Sequence, residues 1–274
     1  MDIWPQDLLF KLRFLHLSFE NDDNKIDTWP FDFLQKVPSL EHLLVQRCYG
    51  LKEIFPSQKL QVHDRSLPAL KQLILYNLGE LESIGLEHPW VQPYSQKLQL
   101  LHLINCSQLE KLVSCAVSFI NLKELQVTCC NRMEYLLKFS TAKSLLQLET
   151  LSIEKCESMK EIVKKEEEDA SDEIIFGRLR RIMLDSLPRL VRFYSGNATL
   201  HLKCLEEATI AECQNMKTFS EGIIDAPLLE GIKTSTEDTD LTSHHDLNTT
   251  IQTLFHQQVR NHYPPNSIVI CLYL

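Results

Sequence analysis

The residues of this chain with the widest range of chemistry are its nine cysteines, because thiolates form disulfides, bind metal ions and act as nucleophiles. Five of them occupy the same position of a recurring sequence pattern: Cys48, Cys106, Cys130, Cys156 and Cys213. Two other copies have Leu78 or Leu187 there, and the poorly formed first copy has Glu20. A position that accepts either cysteine or leucine belongs to a hydrophobic core. We therefore interpret the five residues as reduced core thiols whose S–H groups donate weak hydrogen bonds to turn backbone.

Disulfides and zinc are the alternative interpretations of this row of cysteines. Neighbouring repeats of a stacked structure lie about 4.8 Å apart, which is within reach of a disulfide. Cys106, Cys130 and Cys156, however, form a straight row with an odd member, and a straight row cannot surround zinc tetrahedrally. The other cysteines show no ligand spacing: Cys115, Cys129, Cys204 and Cys271. Unpaired cysteines favour a reducing compartment, so we expect a cytoplasmic protein.

No sequence signature of catalysis is present. The chain contains no Gly-x-Ser-x-Gly elbow, no His-Glu-x-x-His helix and no Gly-x-x-x-x-Gly-Lys-Ser/Thr phosphate loop. The adjacent residues His244, His245 and Asp246 would bind a metal ion only if further ligands folded towards them. We therefore expect no enzymatic activity, no metal site and no cofactor.

The pattern that carries the cysteines is Leu-x-x-Leu-x-Leu-x-x-Cys, seen from Leu98 to Cys106 and, with one Ile for Leu, from Leu148 to Cys156. Its first leucines are Leu12, Leu40, Leu70, Leu98, Leu122, Leu148, Leu179 and Leu205. Consecutive first leucines are 24 to 31 residues apart, close to the roughly 20–29 residues of a leucine-rich repeat. The second and third apolar residues of each copy are two positions apart, which predicts one short β-strand per copy.

After the cysteine of the repeat the apolar spacing changes to three, as in Cys106, Leu109 and Leu112, which predicts an irregular or short helical return. The chain is therefore predicted to be an α/β leucine-rich-repeat solenoid, a horseshoe with a parallel β-sheet on its concave face and irregular or short helical arcs on its convex face. About eight repeats occupy residues 1–230. Residues 231–274 are predicted to form an irregular tail with a short helix near 247–260.

The composition excludes several classes of partner. The net charge is −9, which argues against nucleic acid and anionic membranes, and no apolar stretch reaches the length of a membrane span. We therefore expect protein partners, no nucleic acid and no membrane. The repeat pattern begins almost at once, at Leu8 and Leu9, so we also expect further chain upstream of this sequence.

A candidate protein-binding surface lies at the outward-facing positions of the second to fourth strands. Its residues are His42, Leu44, Gln72, Ile74, Tyr76, Leu100, His102 and Ile104. A solvent-facing cluster rich in aliphatic and aromatic side chains is typical of protein interaction sites. The corresponding positions of the later strands are mainly polar.

The C-terminal repeats resemble a known family. The segments that carry the resemblance are Cys156-Glu157-Ser158-Met159-Lys160-Glu161-Ile162-Val163, Leu184-Asp185-Ser186-Leu187-Pro188, Cys213-Gln214-Asn215-Met216-Lys217-Thr218-Phe219-Ser220 and Asp246-Leu247-Asn248-Thr249-Thr250-Ile251. They resemble the C-terminal repeats of plant coiled-coil nucleotide-binding leucine-rich-repeat disease-resistance proteins, especially those of legumes. The resemblance extends from about Phe31 to Val259.

The resemblance implies part of an intracellular immune receptor. Its partners would be a pathogen effector, a guarded host protein, or a nucleotide-binding domain in cis or in trans that the repeats hold inactive. Because the phosphate loop is missing, no switch activity transfers, and a truncated or stand-alone repeat protein is implied. Two alternatives remain at this point: a substrate-recognition repeat protein of a ubiquitin ligase, and an extracellular repeat receptor or inhibitor.

Overall fold

The structure, a computed structural model, describes residues 9–18, 34, 36–48, 50–56, 70–89, 91–166, 173–234, 241–242 and 246–262, with side chains of the last helix described as far as His256. The elements in the described residues are β1 (Phe14–Ser18), β2 (His42–Gln46), β3 (Gln72–Tyr76), α1 (Gln92–Ser95), β4 (Leu100–Ile104), β5 (Glu124–Thr128), β6 (Tyr135–Lys138), α2 (Phe139–Ala142), β7 (Thr150–Glu154), β8 (Glu161–Lys164), β9 (Glu173–Ile175), β10 (Arg181–Asp185), β11 (Arg192–Tyr194), β12 (Thr199–His201), β13 (Glu207–Ala211), β14 (Ile224–Asp225), β15 (Ile232–Lys233), β16 (Leu241–Thr242) and α3 (Leu247–His262).

One long sheet runs the length of the molecule, with the strand order β1-β2-β3-β4-β5-β7-β10-β13-β15-β16. Its strands are parallel except for the last pair. The equivalent leucines Leu73, Leu101, Leu125 and Leu151 are aligned as Cα partners and buried. Successive repeats therefore share one apolar interior, as a solenoid requires. The prediction of a leucine-rich-repeat solenoid with a parallel sheet is confirmed.

The return segments differ from the prediction in the later repeats. Among the described residues, the short helices α1 and α2 lie in two of these segments, but two further three-stranded sheets also form, in the orders β6-β8-β11 and β9-β12-β14. The return therefore runs partly through strands instead of irregular or helical arcs. The physical reason is pairing between repeats: Leu137 of β6 lies opposite Val163 of β8, so their backbones complete each other's hydrogen bonds.

The five cysteines of the repeat position are buried and form no disulfide. Each thiol donates to the carbonyl oxygen two residues earlier, for example Cys156 Sγ to Glu154 O at 3.3 Å and Cys213 Sγ to Ala211 O at 3.2 Å. Burial raises the pKa of Cys48, Cys156 and Cys213 to about 12 in each case. These residues are therefore reduced core thiols, as the sequence pattern indicated.

The core thiols are expected to resist modification while the chain is folded. A raised pKa and a buried sulfur both suppress the reactive thiolate, whereas Cys115 is exposed. In a Cys271→Ser background, which removes a cysteine outside the described residues, Ellman's reagent should modify Cys115 within minutes and leave Cys130 intact until guanidinium unfolds the chain. Peptide mass spectrometry over a time course measures both rates. Equal rates for Cys115 and Cys130 in the native protein would contradict the assignment.

The strands from β2 to β13 in the main sheet end in the same backbone turn. The residue after each strand has a positive φ between about 50° and 57°: Arg47, Asn77, Asn105, Cys129, Lys155, Ser186 and Glu212. Most of these side chains are ones that rarely adopt this conformation. The turn is held by hydrogen bonds to the next repeat, such as Asn77 N to Ile104 O at 2.9 Å and Asn105 N to Thr128 O at 2.8 Å. It brings the following cysteine or leucine back into the core.

Helix α3 packs against the last repeat. Leu247 and Ile251, one turn apart, are buried. Asn248 Oδ1 accepts hydrogen bonds from Phe219 N at 2.8 Å and from Ser220 N at 3.1 Å, and its Nδ2 donates to Ser220 O at 2.8 Å. The helix therefore covers the apolar end of the stack and pairs backbone groups that the last repeat leaves open.

The start of α3 is fixed by Asp246, whose Oδ2 accepts from Thr249 N at 2.9 Å. Partial burial works against ionisation of this carboxyl, but hydrogen bonds from the Thr249 side chain and backbone outweigh it and lower the pKa of Asp246. An ionised aspartate at this position is the usual N-terminal cap of a helix.

Candidate functional site

We call the side of the main sheet that faces away from the core the outer face. The eight residues predicted from the sequence all lie on it, on the adjacent strands β2, β3 and β4: His42, Leu44, Gln72, Ile74, Tyr76, Leu100, His102 and Ile104. Every one of them is half-buried, while the residues between them are buried in the core. The register places Leu44 beside Ile74, and Tyr76 beside Ile104. The structure therefore brings these residues together in one surface.

We call Leu44, Ile74, Tyr76, Leu100 and Ile104 the apolar patch. The five side chains sit on three consecutive strands, so each lies within about 5–10 Å of another across the sheet. Their positions are set by buried leucines on the same strands, which fix the direction of every second side chain. The patch is therefore a rigid apolar surface that remains accessible to water.

Phe14 extends the apolar surface onto β1. It is 58% exposed, and its ring centroid lies 6.1 Å from that of His42 on the neighbouring strand. The sequence-based site began at β2 and left out Phe14. The sequence did contain a signal for Phe14, because it occupies in the first repeat the outward position that His42 occupies in the second.

His102 marks the end of the apolar patch. Its Nε2 lies 2.9 Å from Glu124 Oε1, across the boundary between β4 and β5. The histidine is mostly covered, with 17% of its side chain exposed. From β5 onwards the outward positions are mainly polar: Glu124, Gln126, Thr128, Thr150, Ser152, Glu154, Arg181, Met183, Asp185, Glu207, Thr209 and Ala211.

Ion pairs join neighbouring repeats both at the border of the main sheet and at the return sheet. Lys71 Nζ lies 3.0 Å from Glu41 Oε2, and the hydrogen bond from the lysine lowers the pKa of Glu41. Lys160 Nζ lies 2.7 Å from Glu134 Oε1 where the return strands β6 and β8 begin, with the same effect on the pKa of Glu134. These solvent-exposed pairs help to keep neighbouring repeats in register. None of their four residues lies at an outward strand position of the outer face.

Metal ligands do not cluster in the part of the chain that the structure describes: it contains no group of three or more histidine, cysteine, aspartate or glutamate side chains able to hold a metal ion. His244 and His245 lie outside the described residues.

Comparison with known proteins decides the family. Residues 1–118 and 114–223 both match the family described as plant disease resistance protein RPS2-like, leucine-rich repeats. The chain belongs to this family of plant disease-resistance repeats. The repeat region is also similar to a protein of Arabidopsis thaliana named "Probable disease resistance protein At4g27220", with 33% identity over 35% of this chain and 14% of that protein. No solved structure matches the chain.

This disease-resistance repeat region therefore spans a small part of the length of the relative that it matches. The family assignment confirms the resemblance seen in the sequence, while the coiled-coil and nucleotide-binding parts, and the legume type, stay predictions. Within its described residues, no helix has the length and apolar character needed to cross a lipid bilayer.

Proposed function

We propose that this chain is the protein-recognition part of an intracellular plant immune receptor and that the apolar patch is the surface that holds the partner. The observation that carries the proposal is the patch itself: five large apolar or aromatic side chains, half-buried and adjacent, on the outer face of a disease-resistance repeat region. Contiguous apolar surface that stays in contact with water is characteristic of interaction sites.

The physical basis of binding is the removal of this surface from water. Each Å² of apolar surface covered by a partner contributes about 25 cal/mol, so half-buried leucine, isoleucine and tyrosine side chains retain useful area. Tyr76 offers both an apolar ring and a hydroxyl, the combination most often found at the energetic centre of interfaces. The strands hold the side chains in place before binding, so little conformational entropy is lost.

The partner in this proposal is a pathogen effector, a guarded host protein or a nucleotide-binding domain in cis or in trans. By binding an effector or a guarded host protein, the chain recognises infection. By binding the nucleotide-binding domain, it holds the receptor inactive. The chain acts by binding in the cytoplasm and not by catalysis, without a metal ion or cofactor. What supports this assignment is the family match together with the lack of catalytic motifs in the sequence.

The proposal predicts that the double variant Ile74→Asp/Tyr76→Asp folds but does not bind. Both side chains point away from the core, so the thermal unfolding curve should stay close to that of the wild type. Each carboxylate would have to be desolvated against an apolar partner, so affinity should fall about 100-fold or more. Proximity labelling in plant cells identifies the partner, and calorimetry with the purified pair measures the loss.

The matched control is Ile120→Asp/Leu146→Asp. These two apolar residues are 40% and 47% exposed but lie outside the strands of the main sheet. The control should bind as the wild type does. A folded Ile74→Asp/Tyr76→Asp variant with wild-type affinity for every labelled partner would remove the apolar patch from the function.

A further inference from the structure

The outer face changes its chemical character along one line that crosses the main sheet. The register aligns Tyr76, Ile104, Thr128, Glu154 and Asp185 as successive Cα partners on β3, β4, β5, β7 and β10. The line therefore begins with two large apolar side chains and ends with two carboxylates. Neighbouring strands lie about 4.8 Å apart, so roughly 10 Å separates Ile104 from Glu154.

A third carboxylate continues the acidic end of this line. Asp185 is the Cα partner of Ala211, and Glu212 follows Ala211 directly at the end of β13. We call Glu154, Asp185 and Glu212 the acidic edge. It lies at the ends of β7 and β10 and in the turn after β13, and β5 with Thr128 separates it from Tyr76 and Ile104 of the apolar patch.

The acidic edge has hydroxyl donors but no cationic partner among the described residues. Glu154 Oε1 accepts from Ser152 Oγ at 2.7 Å, and Ser186 Oγ donates to Asp185 Oδ1 at 3.1 Å and to Glu212 Oε2 at 2.8 Å. No lysine or arginine of the described ranges lies within 4.0 Å of these three carboxylates, although elsewhere ion pairs between repeats are frequent. Their charges are therefore available to a partner.

The opposite border of the main sheet carries charges of both signs, several of which pair with each other. Arg181 begins β10 and donates to Thr150 Oγ1 at 3.1 Å, and Lys233 of β15 pairs with Glu207. Of the carboxylates at outward positions on these strands, Glu124 pairs with His102 and Glu207 with Lys233, whereas Glu154 and Asp185 have only hydroxyl partners. This asymmetry acts on a bound molecule, because like charges placed against each other across an interface oppose binding.

We propose that the partner presents lysine or arginine side chains about 10–15 Å from its apolar contact residues, so that the apolar part lies on the apolar patch while the cations contact the acidic edge. This inference rests on the proposed function and gives the partner a chemistry. The apolar contacts supply affinity, and the charges set the direction in which the partner lies and exclude acidic competitors. The net charge of −9 adds long-range attraction for a basic partner.

The test uses the full chain and a random peptide library displayed on phage as the probe. Selected peptides are synthesised, and their dissociation constants are measured by fluorescence anisotropy at low and high salt. We expect the selected sequences to combine apolar residues with lysine or arginine. Affinity should fall about tenfold or more for Glu154→Lys/Asp185→Lys and less for Glu154→Gln/Asp185→Asn, and salt should weaken binding to the wild type.

The matched control is Glu80→Lys/Glu230→Lys, which changes the net charge equally at two exposed positions away from the outer face. It should bind the peptides as the wild type does. Peptides that lose affinity for Ile74→Asp/Tyr76→Asp but not for Glu154→Lys/Asp185→Lys would overturn this inference and leave the apolar patch in place. Loss in the acidic-edge variants alone would instead overturn the apolar patch. A library that yields acidic peptides would overturn the basic partner, and one that yields no binder would contradict both.

Discussion

Replacing Phe193 with alanine is expected to lower the free energy of unfolding by about 3–5 kcal/mol, the range typical of a buried phenylalanine. Phe193 of β11 is fully buried between two other phenylalanines. Its ring stacks on Phe219 at a centroid distance of 4.4 Å and meets Phe176 edge-on at 6.3 Å. Truncation would leave a cavity that the neighbouring repeats cannot close, since both flanking rings are held by their own strands and turns.

Urea unfolding followed by circular dichroism measures this change, because the midpoint falls in proportion to the lost stability. The matched control is Leu146→Ala, at a leucine that is 47% exposed. Its midpoint should move by no more than the equivalent of about 0.5 kcal/mol. If Phe193→Ala unfolds at the same urea concentration as the control, the stacked rings of Phe176, Phe193 and Phe219 do not form the core of the later repeats.

Replacing Asn248 with alanine is expected to release α3 from the last repeat. The substitution removes the acceptor of two backbone N–H groups, Phe219 N and Ser220 N, and the donor to Ser220 O. Backbone groups left unpaired in a partly buried site cost about 1–3 kcal/mol each when water cannot reach them. Because Asn248 is only half-buried, water can replace part of these bonds, so we expect a combined loss of about 2–4 kcal/mol, which corresponds to roughly 30- to 1,000-fold faster amide exchange in α3.

Hydrogen–deuterium exchange with mass spectrometry resolves this effect by segment. The central strands β3 to β5 should keep their wild-type protection, because repeats interact mainly with their neighbours. Gln252→Ala is the control: the residue is exposed on the same helix and touches none of these groups. Unchanged exchange in α3 of Asn248→Ala would mean that Leu247 and Ile251 alone hold the helix in place.

The sequence predicted the main sheet well because its signal is repeated. The alternation of inward and outward residues in Leu73-Ile74-Leu75 and in Leu101-His102-Leu103 indicates which side chains face the core. Each further copy of the repeat supports the same register. The return strands could not be predicted in this way. The pairing of β6 with β8 depends on two segments from different repeats lying side by side, and this alignment leaves no local periodicity in either segment.

The positive φ of the turns after the strands also could not be predicted from the sequence. A positive φ normally predicts glycine or asparagine, and Asn77 and Asn105 fit this rule, but Arg47, Lys155 and Glu212 do not. For the candidate site, the sequence identified the outward positions of β2 to β4 correctly as neighbours. It did not reveal the acidic edge, since Glu212 lies beyond the end of its strand and becomes adjacent to Asp185 only through the register of β10 and β13.

The alternation of the main-sheet strands also bears on how such proteins diversify. Inward-facing residues such as Leu103 and Val127 hold the repeats together, whereas outward-facing residues such as Ile104 and Thr128 contribute little to folding. Substitutions at outward positions are therefore expected to cost little stability. In the proposed function, point substitutions on the outer face would therefore change binding specificity while the buried scaffold stays the same.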